Sequence, residues 1–434
     1  MLARTLALLG LAVALVLIAG VALGGGADPP RAAGGPAPAG STDDPLGRRV
    51  AQLHARVERL PGHWQAWAEL GAARLEQARG TGDSRHYPAA EEAFRRSLRA
   101  RPAENADALA GLSALAAARH DFGRAVSLAR EAVRADPYDA PAHGALFDGL
   151  VEQGQYDEAA AALQRMANLS PGVPALARVS YLRELHGDVA GARQAMEQAL
   201  ASSASTPDRV FVLQQLGDLA FSTGDLDAAE ARYEQGLRHD PGHLPSLAGT
   251  ARVAAARGDA ETAVTTLRRV VDAQPAPGYA ADLGDLLASL GRQEEAEQQY
   301  AVVSATSQLI AANGGSADLE AALFAADHGQ PREALTAATA EHRRRQSVFT
   351  DDALAWALHV NGRSAEALPL ARRALRLGTR SALLHFHLGM IQSALGDRDA
   401  ARTSLTTALQ INRHFSLRHA PVARAEIARL APAR

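Results

Sequence analysis

An alanine that recurs at a nearly fixed interval constrains this chain more than any other feature. Ala90, Ala125, Ala159, Ala192, Ala229, Ala263, Ala296, Ala334, Ala367 and Ala401 are separated by 35, 34, 33, 37, 34, 33, 38, 33 and 34 residues. Five residues ahead of most of them stands a glycine: Gly154, Gly187, Gly224, Gly258, Gly291, Gly329, Gly362 and Gly396. A glycine there takes a left-handed conformation without a Cβ penalty and closes one helix so that the next can begin. The second repeat has His120 in that place, followed by Asp121 and Phe122. A chain of 434 residues would ordinarily divide into two or three globular domains. Internal periodicity replaces that expectation with an array that grows by stacking.

Other positions keep the same register. Thirteen residues before the alanine an apolar side chain faces the second helix: Leu112, Leu146, Val179, Leu216, Leu283, Leu354 and Leu388. The next residue is small where the helices approach, as at Gly71, Ser113, Ser180, Gly217, Gly284, Ala355 and Gly389. Four residues after the alanine comes a second core side chain, such as Phe94, Leu163, Met196, Tyr233, Leu267, Tyr300 or Leu405. Pro102, Pro137, Pro171, Pro241 and Pro275 then stop the second helix, because proline cannot extend its hydrogen-bond ladder. The stretch from Ala140 to Pro171 shows the whole unit.

These residues carry a resemblance. From about Trp64 to Phe415 the chain resembles tetratricopeptide repeat (TPR) proteins, in ten repeats. The W-x2-L-G motif is Trp67-Ala-Glu-Leu70-Gly71, and the same repeat continues through Ala90, Phe94 and Pro102. The layout also resembles membrane-anchored bacterial members without an assigned activity. The resemblance implies an all-α fold, a right-handed α-solenoid whose first helices line a concave groove. Its groove-facing positions here hold Asp148 and Val151, Tyr181 and Glu184, then Phe211, Gln214, Asp218 and Phe221. Arg252 and Asp285 follow, then Leu319, Leu323, Trp356, His359, Phe386 and Met390. The middle of such a groove is acidic and aromatic and its C-terminal third apolar. Sheltered aromatic anchors are what peptide-binding hot spots use, so Asp148, Tyr181, Glu184, Phe211, Asp218, Phe221, Leu319, Leu323, Trp356, Phe386 and Met390 are the candidate partner-binding set. Several of them can instead pack against neighbouring helices or the final cap. The Lys and Asn of the family's two-carboxylate clamp are missing from their places.

The pattern has departures. The first repeat carries an insertion in its turn, near Gly80 to Tyr87. The link from Ser202 to Pro207 lacks a proline in register and is a candidate bend. After Ala296 the second helix runs on to Ala312 before Gly314 and Gly315, and the first helix of the eighth repeat is thin in bulky core residues. Pro421 opens a last helix with an arginine-rich outer face, suited to a solvating cap.

Ahead of the repeats, Thr5 to Gly26 contain no charge. As a helix this segment would span roughly 30 Å, the thickness of a bilayer core. It is expected to be an uncleaved transmembrane anchor; the alternative is a signal helix cleaved near Gly25-Gly26-Ala27. Arg4 before it and Asp28 after it place the solenoid outside the cytoplasm by the positive-inside tendency. Residues 27–44, rich in Pro, Gly, Ala and Ser, form a flexible tether. The expected organisation is an anchor or signal helix at 1–26, the tether at 27–44, a leading helix at 45–63, the solenoid at 64–415 and a capping helix at 416–434. The location expected is the cell membrane, single-pass with the solenoid extracytoplasmic, or secretion after cleavage.

Composition removes many chemistries. The chain has no cysteine, so disulfides, thiol nucleophiles, Cys-ligated zinc and a lipidated N-terminal Cys are excluded. It has no lysine, which excludes a P-loop or Schiff-base lysine. A net charge of −3 without basic runs gives no footprint for nucleic acid. His385 and His387 are the only close histidine pair, and H-x-H on a helix points its rings apart, a poor metal clamp. The carboxylate pairs Asp157 and Glu158, Glu294 and Glu295, and Asp397 and Asp399 lie in helix starts, where acids complement the dipole. No catalytic constellation, cofactor or small-molecule substrate is expected. The sequence points to a non-enzymatic scaffold for a protein or peptide, held to the membrane by its N-terminal helix. The alternative is an accessory subunit of a cell-envelope enzyme or assembly complex.

Overall fold

The computed structural model describes residues 45–312 and 318–431. The apolar segment 5–26, the tether 27–44 and the Gly314-Gly315 pair lie outside the described residues. Among the described residues there is no strand, and no helix is long and apolar enough to cross a membrane.

A leading helix, α1 (Pro45–Arg59), precedes ten helix pairs. The first three pairs are α2 (Trp64–Thr81) with α3 (Tyr87–Ala100), α4 (Ala106–Ala118) with α5 (Phe122–Ala135), and α6 (Ala140–Glu152) with α7 (Tyr156–Leu169). Then come α8 (Val173–Leu185) with α9 (Val189–Ser202), α10 (Thr206–Ser222) with α11 (Leu226–His239), and α12 (Leu244–Arg257) with α13 (Ala260–Ala273). The seventh and eighth are α14 (Pro277–Ser289) with α15 (Gln293–Ala312), and α16 (Asp318–Asp327) with α17 (Pro331–Arg344). Last come α18 (Val348–Val360) with α19 (Ser364–Ala374), and α20 (Ala382–Ala394) with α21 (Arg398–Ile411). The closing helix α22 (His419–Leu430) starts two residues ahead of Pro421, which falls in its first turn. The first-repeat insertion is taken up by the long α2 and a 3₁₀ turn at Ser84–His86. The Ser202–Pro207 link becomes the cap of a 17-residue α10, with the Ser205 side chain accepting from the Asp208 N–H. α15 runs 20 residues to Ala312, as its sequence implies. α16 is short, yet Leu319, Ala322 and Leu323 are all buried.

Local chemistry explains the pairs. Asp121, Asp188, Asp225, Asp259 and Asp397 cap second helices, each accepting a backbone N–H three residues on. All ten recurring alanines are 0% exposed, so any larger side chain there would push the paired helices apart. Ser113 and Ser180, in the small position of the first helix, donate to the carbonyls of Ala125 and Ala192 at 2.8 and 2.9 Å. Where that position is Gly71, Gly217 or Gly284 an aromatic ring fills the space, and at Gly389 the side chain of Leu405 does. A Cβ on Gly71 would lie 2.7 Å from Phe94, and Gly111 of the next repeat meets the same ring. Tyr233 is wedged in the same way between Gly217 and Gly249.

The array coils back on itself. The hydroxyl of Tyr156 accepts from the Val348 N–H at 3.0 Å, across 192 residues. Thr379 Oγ1 donates to the Leu185 carbonyl at 2.5 Å across 194 residues, and Asn412 Nδ2 to the Phe221 carbonyl at 2.8 Å across 191. These bonds join the turn inside one repeat to the junction between repeats one superhelical turn later. Gly154 (φ 74°) and Gly187 (φ 76°) are needed there twice over. Both are left-handed, and a Cβ on either would collide with the carbonyl of Gln346 or Gly378. His120 holds the same left-handed place at φ 60° and stacks on Phe122, ring centroids 5.6 Å apart. An ion network seals this contact. Arg345, 3% exposed, pairs with Glu341 of its own helix end and Glu152 of α6. Its guanidinium also lies 4.4 Å over Phe122.

Candidate functional site

The first helices of the repeats carry a ladder of carboxylates, most of them met by hydrogen-bond donors from their own or a following segment. Asp148 accepts from Arg178 Nε at 2.8 Å and Nη2 at 2.6 Å, a buried fork, and Arg178 Nη1 reaches the Pro174 carbonyl. Asp218 accepts from Tyr233 Oη at 2.6 Å and from Gln214 Nε2, with Arg252 Nη2 at 3.7 Å. Asp285 takes Tyr300 Oη at 2.9 Å, His328 Nε2 at 3.0 Å and Arg418 Nη2 at 3.0 Å. Asp327 accepts from Trp356 Nε1 at 2.8 Å, and Asp352 pairs with His387 Nδ1 at 2.8 Å. Burial pushes the Asp148 and Asp218 carboxyls up despite the arginine beside each. At Asp285 burial is outweighed by the His328 hydrogen bond and the Arg418 charge, which hold the carboxyl below the usual range.

The candidate partner-binding residues separate into two groups. Asp148 and Tyr181 are buried in the middle of the array, and burial pushes the Tyr181 phenol well up. Asp218 and Phe221 are buried with Arg252 alongside, its guanidinium 5.9 Å over the Phe221 ring. Leu319, Leu323, Trp356 and Phe386 belong to one core, which Met390 packs against. Trp356 stacks on His387 with centroids 4.2 Å apart, and Phe386 lies against Phe415 at 5.7 Å and His419 at 4.7 Å. The chain's own Phe415, Ala420, Ala423 and Leu430 therefore fill the apolar third of the groove. Glu184, Phe211 and Met390 keep partial exposure. Of the histidine pair, His387 is spent on Asp352 and Trp356. Among the described residues no group of three or more side chains could hold a metal ion.

What stays open is the middle. A cavity of about 1000 Å³ lies between the concave face of α10, α12 and α14 and the C-terminal segment from Thr406 to Ile427. One wall is Phe221, Ala251, Arg252, Ala255, Asp282 and Asp285; the other is Leu409, Ile411, Arg413, His414, Leu417 and Arg424. Asp282 is the wall carboxylate that the groove positions read from the sequence leave out. It is 8% exposed, and its carboxylate accepts no hydrogen bond from any described side chain. Burial pushes it up to about 6 against the pull of Arg252. Its signal in the sequence is its place three residues before Asp285, one turn along the same helix face.

Ten helix pairs, stacked so that first helices touch first helices, define an α-solenoid. The chain contains tetratricopeptide repeats: models of that repeat match residues 75–140, 116–180, 220–281 and 382–415. Cellulose synthase 1 operon protein C of Komagataeibacter xylinus is 28% identical over 204 residues, 47% of this chain. The chain covers 13% of that protein's length. Among solved structures, the Cut9–Hcn1 hetero-tetramer of the APC/C aligns at 12% identity and TM-score 0.39, covering 89% of this chain and 93% of that one. A tetratricopeptide repeat protein from Parabacteroides merdae aligns at 18% identity and TM-score 0.36, covering 59% and 98%. A thermophilic TPR protein of Thermus thermophilus aligns at 22% identity and TM-score 0.38, covering 44% and 97%.

Proposed function

We propose that this protein is a non-enzymatic scaffold that holds a partner polypeptide on the concave side of its solenoid. In this reading the apolar segment 5–26 tethers it to a membrane, with the solenoid on the extracytoplasmic side. The observation that carries the proposal is the open chamber against α10, α12 and α14, in a fold whose repeats associate with proteins. Phe221 and Asp285 line it, and Glu184, Phe211 and Met390 are the half-exposed groove residues a longer partner would reach. A photocrosslinking side chain at Ala255, on the chamber wall, is expected to trap the partner. The same group at Glu234, exposed on α11, is not. Equal capture from both would remove the concave assignment. For the tether, the full chain should sediment with membranes and a chain lacking 1–44 should not; unchanged sedimentation would end that part of the reading.

A second reading, an accessory subunit of a cell-envelope enzyme or assembly complex, draws support from the relative named for a cellulose synthase operon. It requires co-migration with a catalytic subunit on native sizing of solubilised membranes.

A further inference from the structure

We infer that the chamber is a subsite for one basic side chain of an otherwise apolar partner peptide, and that the Asp282 carboxylate receives it. This rests on the concave-groove reading above and adds the chemistry of what enters. The walls contributed by Phe221, Ala251, Ala255, Leu409 and Leu417 are apolar and favour an apolar strand. Every other ladder carboxylate is answered within the chain: Asp148 by Arg178, Asp285 by His328 and Arg418, Asp352 by His387. Asp282 is not. It is almost wholly buried, it lines the chamber, and no described residue gives it a hydrogen bond or an ion pair. A carboxylate taken from water without a hydrogen-bond partner opposes folding, and a cation delivered through the chamber to contact it reduces that cost. The same charge discriminates: an acidic or neutral side chain in that place gains nothing and leaves Asp282 unpaired.

The mouth supports the same polarity. Arg413 and Arg424 line the C-terminal wall beside His414, and Arg424 is spent only on the Arg413 carbonyl at 3.3 Å. An anionic floor beneath a cationic rim fits a peptide whose basic residue enters while a carboxylate remains outside.

The test uses the full chain and two capped peptides of leucine, alanine and glycine. One carries a single central lysine and the other norleucine in its place. Fluorescence anisotropy should show wild type binding the lysine peptide roughly ten- to a hundredfold more tightly, as a buried charge-assisted bond gives. D282N should abolish that preference. A255W, which fills the chamber, should weaken both. Equal affinity for the two peptides, or a preference that survives D282N, overturns the Asp282 assignment and leaves the groove reading intact. Binding of both that is indifferent to A255W places the peptides elsewhere and overturns the chamber. Failure of both peptides to bind, with no crosslink from Ala255, overturns the two readings together. Circular dichroism and melting of each variant separate lost binding from lost fold.

Discussion

At the scale of single residues, the periodic small positions carry the fold because each one answers a particular large neighbour. Gly249 is the clearest case: a Cβ there would lie 2.5 Å from the Tyr233 ring, which is itself fully buried. Overpacking of this kind costs about 1–3 kcal/mol, more than the roughly 1 kcal/mol that alanine returns in helix propensity. G249A is therefore expected to lower the denaturant midpoint, and to do so less when Tyr233 is shortened to Leu. Equal cost in both backgrounds would show that the ring is not what the glycine accommodates. Asp282 makes the opposite prediction. Its carboxyl sits near 6 in the folded chain, above its ordinary value of 3.8, so the folded state holds a proton that the unfolded chain releases between those values. Its unfavourable contribution is fully present above pH about 6 and fades as pH falls to about 4. D282N should thus raise stability at pH 7, by on the order of 3 kcal/mol, and flatten the pH dependence of unfolding across that window. The alternation of alanine, glycine and aromatic was legible in the sequence, since each recurs in register. The unpaired state of Asp282 was not, because it depends on which cations the fold fails to bring near.

At the scale of elements, α22 is the piece whose role the sequence only half conveys. As a terminal arginine-rich helix it reads as a solvating cap, yet its inner face and the segment before it occupy the groove of the last repeats. His419 lies against Phe386, and burial pushes its imidazole down to about 4 against the pull of Asp327, 3.3 Å away. A histidine kept neutral when folded and free to charge when unfolded makes stability fall as pH drops from its ordinary 6.5 towards 4. Amide exchange in α22 is expected to accelerate over that interval ahead of α4 or α6, and His419→Gln should remove the acceleration. Uniform exchange across the chain would show that the cap does not open separately. Trp356 and Phe386 follow from the same packing. They satisfy the pattern of binding anchors, but Asp327 and His387 engage the first, and Phe415 and His419 cover the second.

At the scale of the whole molecule, contacts between successive superhelical turns decide how far the solenoid closes. Arg345 is the centre of that seam. Replacing it with Ala leaves Glu152 buried without its cation and Glu341 with Arg344 alone, which should cost about 3–5 kcal/mol, whereas Arg345→Met keeps the stem packing and costs less. A milder probe is the pair Thr379→Val and Asn412→Ala. Each removes a donor to a buried carbonyl, at about 1–3 kcal/mol. If these bonds hold the turns together, small-angle scattering of the double variant will show a larger radius of gyration with helix content unchanged. An unchanged radius would assign the closure to the Arg345–Glu152 pair, the Tyr156–Val348 bond and the apolar contacts of Val348 and Phe349.

The sequence by itself determined the unit and its count: ten helix pairs, their glycine turns, aspartate caps, buried alanines and terminating prolines. All of these arise from interactions within about forty residues, so each leaves a local and repeated trace. Only the tertiary structure decided where the groove is open. The pairing of Tyr156 with Val348, Leu185 with Thr379 and Phe221 with Asn412 spans more than 190 residues. The superhelical advance per repeat sets that offset, and no single repeat encodes it. Small rotations added over five or six repeats bring the C-terminal segment across the concave face, filling it at Trp356 and Phe386 and leaving a chamber over Asp282.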